Sequence, residues 1–180
     1  MSLPALGDLT AVAALDRPDL LAESVSRSLG EWKHRDSVAV FEIDPGLADT
    51  AALTQAYGLP LTASANCVVV GGRRGGVDRV AACVVRADMR VHVNTVVRRR
   101  LDVRKASFLP TEHAVEAAAM EYGGITPIGI PDGWLLLIAA EVAEIPVAVV
   151  GSGVRRSKLL VPGPLLADLP GAEIVGDLAS

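Results

Sequence analysis

The sequence predicts an α/β domain in which helices, a hairpin and several further strands share one core. Three observations predict it. The chain has 180 residues, enough for one domain and too few for a second independent core. It is 51% hydrophobic yet holds only two Trp, two Tyr and two Phe, so its interior is built from Val, Leu, Ile and Ala, a composition suited to strands covered by small helices. Its segments also alternate without regular βαβ repetition, which fits a doubly wound Rossmann domain poorly. No internal repeat and no Pro-rich or Gly/Ser-rich linker interrupts residues 1–180, which are expected to form a single domain.

Asp16 and Pro18 mark a helix start, Leu21, Val25 and Leu29 recur at four-residue spacing, and Gly30 is the expected stop. Ser37 to Ile43 reads as a strand ended by Pro45-Gly46. Asp49 or Thr50 can cap a short helix that buries Leu53 and Tyr57, exposes Gln55 and terminates at Gly58. Cys67 to Val70 and Arg79 to Arg86 form a hairpin, with Gly71 to Gly76 reversing the chain. Val93, Val96, Val97 and Arg100 have helical spacing, but their β-branched content leaves a strand open. Thr111 caps a helix that presents Val115, Ala118, Ala119 and Tyr122 on one face and closes at Gly123. Trp134 to Ile138, Pro146 to Val150 and Lys158 to Val161 read as buried strands, Pro164 to Leu169 as a short helix, and Ala172 to Val175 as a last strand.

The longest apolar run, Trp134 to Ala140, is far below the roughly 20 residues of a membrane-spanning helix, so no membrane partner is expected. The N-terminus lacks the basic stretch of a signal peptide, and a cytoplasmic location is expected. Cys67 and Cys83 form no CxxC pair and lie beside no histidine, which points to two inert, buried thiols rather than zinc ligands. A net charge of -4 argues against indiscriminate coating of nucleic acid and indicates no DNA specificity, but it leaves room for a local basic face.

Two glycine-rich loops and one basic run stand out. In Tyr122 to Pro131, adjacent Gly123 and Gly124 allow close backbone approach and Pro127 stiffens the segment, followed by Gly129. Such a loop can turn amides toward an ester carbonyl that becomes an oxyanion, or it can be a helix stop with a tight turn. Thr126 is a weak nucleophile beside Pro127 and is better suited to orienting loop, water or substrate. Gly151-Ser152-Gly153-Val154-Arg155-Arg156 can hold a phosphate or the terminal nucleotide of an RNA, or it can be a solvated turn, since a bare GxG lacks the dinucleotide fingerprint. Arg98, Arg99, Arg100, Arg104 and Lys105, with Arg156 and Lys158 further on, are candidate contacts to RNA phosphates, with a solvated charged face as the alternative. Arg73 and Arg74 in the hairpin need no more than an exposed turn. His34, His92 and His113 fall in separate elements without HExxH spacing and read as packing, capping or surface residues.

Taken in order, Asp49-Thr50-Ala51-Ala52-Leu53, Asn66-Cys67-Val68-Val69-Val70, Arg104-Lys105-Ala106-Ser107, the GGITPIG loop from Gly123, Gly151 to Arg156 and Leu165 to Ala172 resemble the YbaK/prolyl-tRNA synthetase-associated editing-domain family. The resemblance implies a compact mixed-sheet or barrel-like fold surrounded by helices. It implies an aminoacyl-tRNA deacylase that removes a wrongly attached small amino acid, needs no cofactor or metal, and works on mischarged tRNA, with an aminoacyl-tRNA synthetase as a further partner. It places the catalytic role on Gly123, Gly124, Thr126 and position 66, and substrate binding on Thr50, Pro127, Gly129, Gly151, Ser152, Gly153 and Arg155. Where the family commonly has a lysine, this chain has Asn66, which forms hydrogen bonds but carries no charge. Asn66 is therefore expected near both loops. Two other readings stay open: a catalytically degenerate aminoacyl-tRNA or RNA binding module, and a structural protein-interaction domain.

Overall fold

The computed structural model describes residues 3–180. Its strands form two sheets. The first has the order β1 (Val12–Ala13), β2 (Ala39–Glu42), β8 (Ser157–Val161), β7 (Ala148–Gly151), antiparallel throughout. The second has the order β5 (Ala106–Phe108), β3 (Ala65–Arg74), β4 (Val77–Arg86), β6 (Leu135–Ala139), β9 (Ala172–Val175). It is mixed, because β3 pairs antiparallel with β4 and β5 while β6 runs parallel to both β4 and β9. The parallel centre explains the unbroken apolar run of β6: a strand covered on both faces has no polar positions to spare. Its Leu137 and Ile138 are completely buried.

Helices cover the sheets. Helix α1 (Glu23–Glu31) buries Val25 and Leu29 completely, as their four-residue spacing requires. It begins later than Asp16, after two 3₁₀ turns at Ala14–Asp16 and Pro18–Leu20, and it runs through Gly30 instead of stopping there. The Gly30 carbonyl accepts from Arg35 Nη1 at 2.6 Å, which satisfies an end group of the helix from outside. Helix α2 (Thr50–Tyr57) is capped by Asp49 Oδ1, which accepts from the Ala51 and Ala52 amides at 3.0 and 3.4 Å, and Gly58 closes it. Leu53 is buried, but Tyr57 is exposed, with only its ring edge against Phe41. Residues Val93–Val97 form a π-helical turn that continues into α3 (Arg98–Arg100), so the helical alternative holds there.

Helix α4 (Thr111–Ala118) is shorter than its sequence pattern suggests. Thr111 is its first residue instead of its side-chain cap, and Ala119 takes a left-handed conformation (φ 53°) that ends the helix. Ala114 and Ala118 are its buried residues, while Tyr122 lies exposed beyond it. Two short helices, α5 (Ala140–Ala143) and α6 (Gly163–Leu166), follow β6 and β8.

The hairpin turn is tighter than expected. Gly71 and Gly72 belong to β3, and only Gly75 and Gly76 turn the chain. Gly72 is needed within the strand because the segment leading into β5 crosses it: a Cβ there would lie 2.6 Å from Val103 Cγ2. This places the site. β5 pairs only with Val70 to Gly72 of β3, and the two sheets meet at an isolated bridge between Ser64 and Val149. Between these two contacts, the edge of β3 from Ala65 to Val69 has no strand hydrogen-bonded to it. A cavity opens there.

Candidate active site

The cavity has a volume of about 370 Å³. One wall is the β3 edge with Asn66, Cys67 and Val68, and a second is the start of α2 with Ala48, Asp49 and Thr50. The glycine loop contributes Gly123 and Ile125, and the β7–β8 side contributes Gly151, Arg155 and Lys158. Both loops nominated by the sequence thus reach one space, which Asn66 also lines.

The loops touch through their backbones. Gly153 donates its amide to the Gly124 carbonyl at 2.7 Å, and Glu121 donates to the Gly153 carbonyl at 2.8 Å. A Cβ on Gly124 would sit 2.7 Å from the Val154 carbonyl oxygen, and one on Gly151 would collide with the Gly124 and Ile125 carbonyls. The glycines are therefore required by the join itself. The Gly124 amide is engaged locally, donating to the Glu121 carbonyl at 2.9 Å, so it is not a free oxyanion donor.

On the β3 side, Thr50 donates its hydroxyl to Asn66 Oδ1 at 2.7 Å. This fixes the amide plane and leaves the two Nδ2 hydrogens without a protein acceptor among the described residues. The same cavity is lined by a residue whose part the sequence did not suggest. Lys158, taken from sequence for an exposed RNA contact, is only 6% exposed, and its Nζ donates to the Ala48 carbonyl at 2.9 Å and the Gly123 carbonyl at 2.8 Å. Burial pushes its pKa down to about 8, with Asp49 acting to raise it and Arg155 to lower it further. The available signal was a lysine opening the otherwise apolar strand Lys158 to Val161.

Other nominated residues lie elsewhere. Thr126 is fully buried and its hydroxyl has no hydrogen-bond partner among the described residues, so it supports the loop and cannot touch a substrate. Ser152 is also fully buried, bonded to the Ser157 hydroxyl at 2.7 Å, and Gly153 packs against Ala22. Pro127 and Gly129 line a separate groove with Trp32, Trp134 and Asp168. Arg155 lies at the cavity, donating to the Tyr122 and Pro45 carbonyls at 2.9 and 3.0 Å, with its guanidinium 5.3 Å from the Tyr122 ring centre. Arg156 turns away to Asp19. Phe108 and Tyr122, 55% and 61% exposed, line the cavity without having been singled out. Cys67 does as well and is half-buried, not buried like Cys83; desolvation first, and Cys83 second, raise its pKa, keeping it a thiol.

The basic run forms a second feature. Arg98, Arg99 and Arg104 line a groove of about 890 Å³ together with Arg73 and Arg74, the pair the sequence left as a plain turn. Arg100 leaves this set to pair with Glu173, and Lys105 is exposed outside it. His34 bonds Asp168 at 2.7 Å, His92 lies between the Asp177 carbonyl and the Ser180 hydroxyl, and His113 is exposed on α4. No group of three or more His, Cys, Asp or Glu suited to a metal exists among the described residues, and no described helix is long and apolar enough to cross a membrane.

Comparison with known proteins bears on this architecture. No curated protein matches the sequence. Among solved structures, hypothetical protein APE2540 superposes with a TM-score of 0.75 at 16% identity, over 88% of this chain and 100% of its own. A protein described as "a putative trans-editing enzyme for prolyl tRNA synthetase" gives a TM-score of 0.71 at 18% identity, over 89% of this chain and 99% of its own. These likenesses show the fold. A sequence profile of the aminoacyl-tRNA editing domain matches residues 44–169, a span that runs from the approach to α2 past α6 and includes every cavity residue named above. By that match the chain belongs to the aminoacyl-tRNA editing domain family.

Proposed function

We propose that the protein is an aminoacyl-tRNA deacylase that hydrolyses the ester of a mischarged tRNA carrying a small amino acid. The observation that carries this reading is the convergence of the Gly123 loop, the Thr50–Asn66 pair and the buried Lys158 on one cavity of about 370 Å³. Neither Thr50 nor Cys67 on the walls is an activated nucleophile: the Thr50 hydroxyl donates to the neutral Asn66 amide and the Cys67 thiol is held protonated. Water is then the attacking group, positioned by the substrate's ribose hydroxyls and the fixed polar groups of the walls. The Asn66 amide, its Oδ1 held by Thr50, would donate from Nδ2 to the ester carbonyl as charge builds on its oxygen. Val68, Leu109, Ala114 and Ile125 close around the amino-acid side chain, and size discrimination by such a surface amounts to about 1–3 kcal/mol per methylene.

The arginine groove gives the RNA a second hold. Val69 lines the cavity and Arg73 the groove, so the two lie on one strand roughly 13 Å apart at about 3.3 Å per residue. Phosphate contacts in the groove would orient the acceptor end while the 3′ terminus enters the cavity.

A single-turnover deacylation assay on a panel of mischarged tRNAs tests the reading. Hydrolysis above the spontaneous rate for at least one small amino acid is expected, with the same amino acid left intact on its own tRNA. Specific binding of charged tRNA without hydrolysis across the panel would replace this reading with a non-catalytic binding module, which the neutral Asn66 favours.

A further inference from the structure

The cavity holds a buried positive charge that pairs with no carboxylate within 4.0 Å among the described residues, Asp49 acting on it only from farther away. An ammonium has three N–H donors. On Lys158 two are taken by the Ala48 and Gly123 carbonyls, and no third acceptor and no carboxylate within 4.0 Å exist among the described residues. Burying a charge with only neutral partners is expensive, and a fold retains such an arrangement readily where a ligand completes it. The charged groups around it are Asp49 from the start of α2 and Arg155 from the β7–β8 loop, with Glu121 turned to accept from the Arg155 amide at 2.6 Å; the nearby Cys67 thiol is neutral. Arg155 likewise makes no ion pair among the described residues and spends its guanidinium on two carbonyls. The exposed rings of Phe108 and Tyr122 border the same cavity. Cations beside open aromatic faces suit one ligand class, a nucleotide whose base stacks while its phosphate meets the charge.

We infer that Lys158 is the phosphate anchor of this cavity, its free N–H binding a phosphate oxygen of the terminal nucleotide while its other two hold the Gly123 loop to the start of α2. The identity of the nucleotide-bearing substrate rests on the deacylase reading above; the anchor does not. Position 158 would then carry the charge that position 66 lacks, from another strand.

Adenosine 5′-monophosphate and adenosine are the probes, compared by calorimetry on the intact protein. The monophosphate should bind roughly tenfold tighter at pH 7, the ratio one charge-assisted hydrogen bond supports. Its phosphate stays doubly ionised above pH 7, so a fall in that ratio between pH 7 and 9 reports loss of the protein's own charge, as the Lys158 pKa of about 8 requires. Lys158→Met should bind both probes within about twofold of each other. Equal binding to the unaltered protein, a preference that survives in Lys158→Met, or a ratio independent of pH would overturn the assignment. If the variant does not fold, the pH series on the unaltered protein decides alone. Hydrolysis of mischarged tRNA without monophosphate preference removes the anchor and leaves the deacylase; preference without hydrolysis of any mischarged tRNA does the reverse.

Discussion

The cavity and the arginine groove occupy two ends of the same strand and are built on opposite principles. In the cavity, polar groups are few, mostly buried and held by the protein: Lys158 by two carbonyls, Asn66 by Thr50 and the loops by each other. In the groove, the arginines are solvent-facing and several are engaged with carboxylates, Arg74 with Asp102 and Arg99 with Asp177 at 3.7 Å. Fixed groups in a poorly solvated space act strongly over one bond length, whereas exposed cations act weakly and over a distance set by salt. The first arrangement can select and orient a reacting ester, and the second can gather and steer a polyanion. Variants at the two ends should therefore fail differently.

The largest effect is expected at the join of the two loops. Gly124→Ala forces a Cβ against the Val154 backbone and should lower stability by about 3 kcal/mol or more while abolishing deacylation. Gly176→Ala, with open space around it, should leave denaturant midpoint and activity unchanged. Similar midpoints for the two variants would show that the join is not rigid.

Lys158 supplies the next test, through pH. Its folded pKa of about 8 lies below the ordinary 10.5, so between those values the unfolded chain binds more protons. The stability associated with the neutral amine is fully present above about pH 10.5 and lost as pH falls through 8. The stability of the original protein relative to Lys158→Met should accordingly rise with pH across that window, by at most about 3 kcal/mol. Denaturant titrations of both proteins from pH 7 upward measure it, and a flat difference would mean the amine is not desolvated.

At the groove, the expected outcome is a weaker tRNA complex with unchanged chemistry. Replacing Arg98, Arg99 and Arg104 together by alanine should weaken tRNA binding by roughly 100-fold at low salt and flatten the dependence of log affinity on log salt by about 2. The single-turnover rate at saturating tRNA should change little. Arg100→Ala, a residue paired with Glu173 outside the groove, should leave the salt slope unaltered. A slope that changes equally in both variants would dissolve the distinction between groove and surface.

The smallest effect is expected at Asn66. Taken from the sequence alone, replacing it by lysine should raise deacylation by restoring a missing charge. With Lys158 and Arg155 already lining the cavity, Asn66→Lys breaks the Thr50 hydrogen bond and adds a cation beside cations, but its ammonium keeps an N–H donor for the ester carbonyl, so the changes offset and the rate should change by no more than about twofold. In a Lys158→Met background the same substitution should recover activity. A large gain in the otherwise unaltered protein would show that Lys158 does not serve the substrate.

The contrast between the two ends also explains how legible each was. The strand Lys158 to Val161 was readable because burial on both faces leaves an apolar run with clear ends. The glycine loops were readable as loops, since adjacent glycines have few other uses. Which of their residues face the ligand was not, because that depends on contacts between segments far apart in the chain. Thr126 and Ser152 look like chemistry in a linear reading and are sealed by packing. Lys158 looks like a surface charge and becomes the cavity's buried cation only because the Ala48 and Gly123 carbonyls converge on it. Arg73 and Arg74 acquire company only when the hairpin tip folds beside the basic run. The early end of α4 at Ala119 ran against helical propensity: the chain must leave the helix there for Glu121 to reach the Gly153 carbonyl.

The contact between Gly124 and Gly151 has one more consequence. Where two main chains meet with no side chain between them, the join has the same chemistry in any sequence that can form it, so the backbone seam beside Gly151 offers evolution nothing to vary. On the deacylase reading, a change in which amino acid is accepted would then arise at side chains of the other walls, Val68, Leu109, Ala114 and Ile125 among them. Relatives with other preferences should differ at such wall positions and agree at the two glycines, and a designer seeking a new specificity would start there.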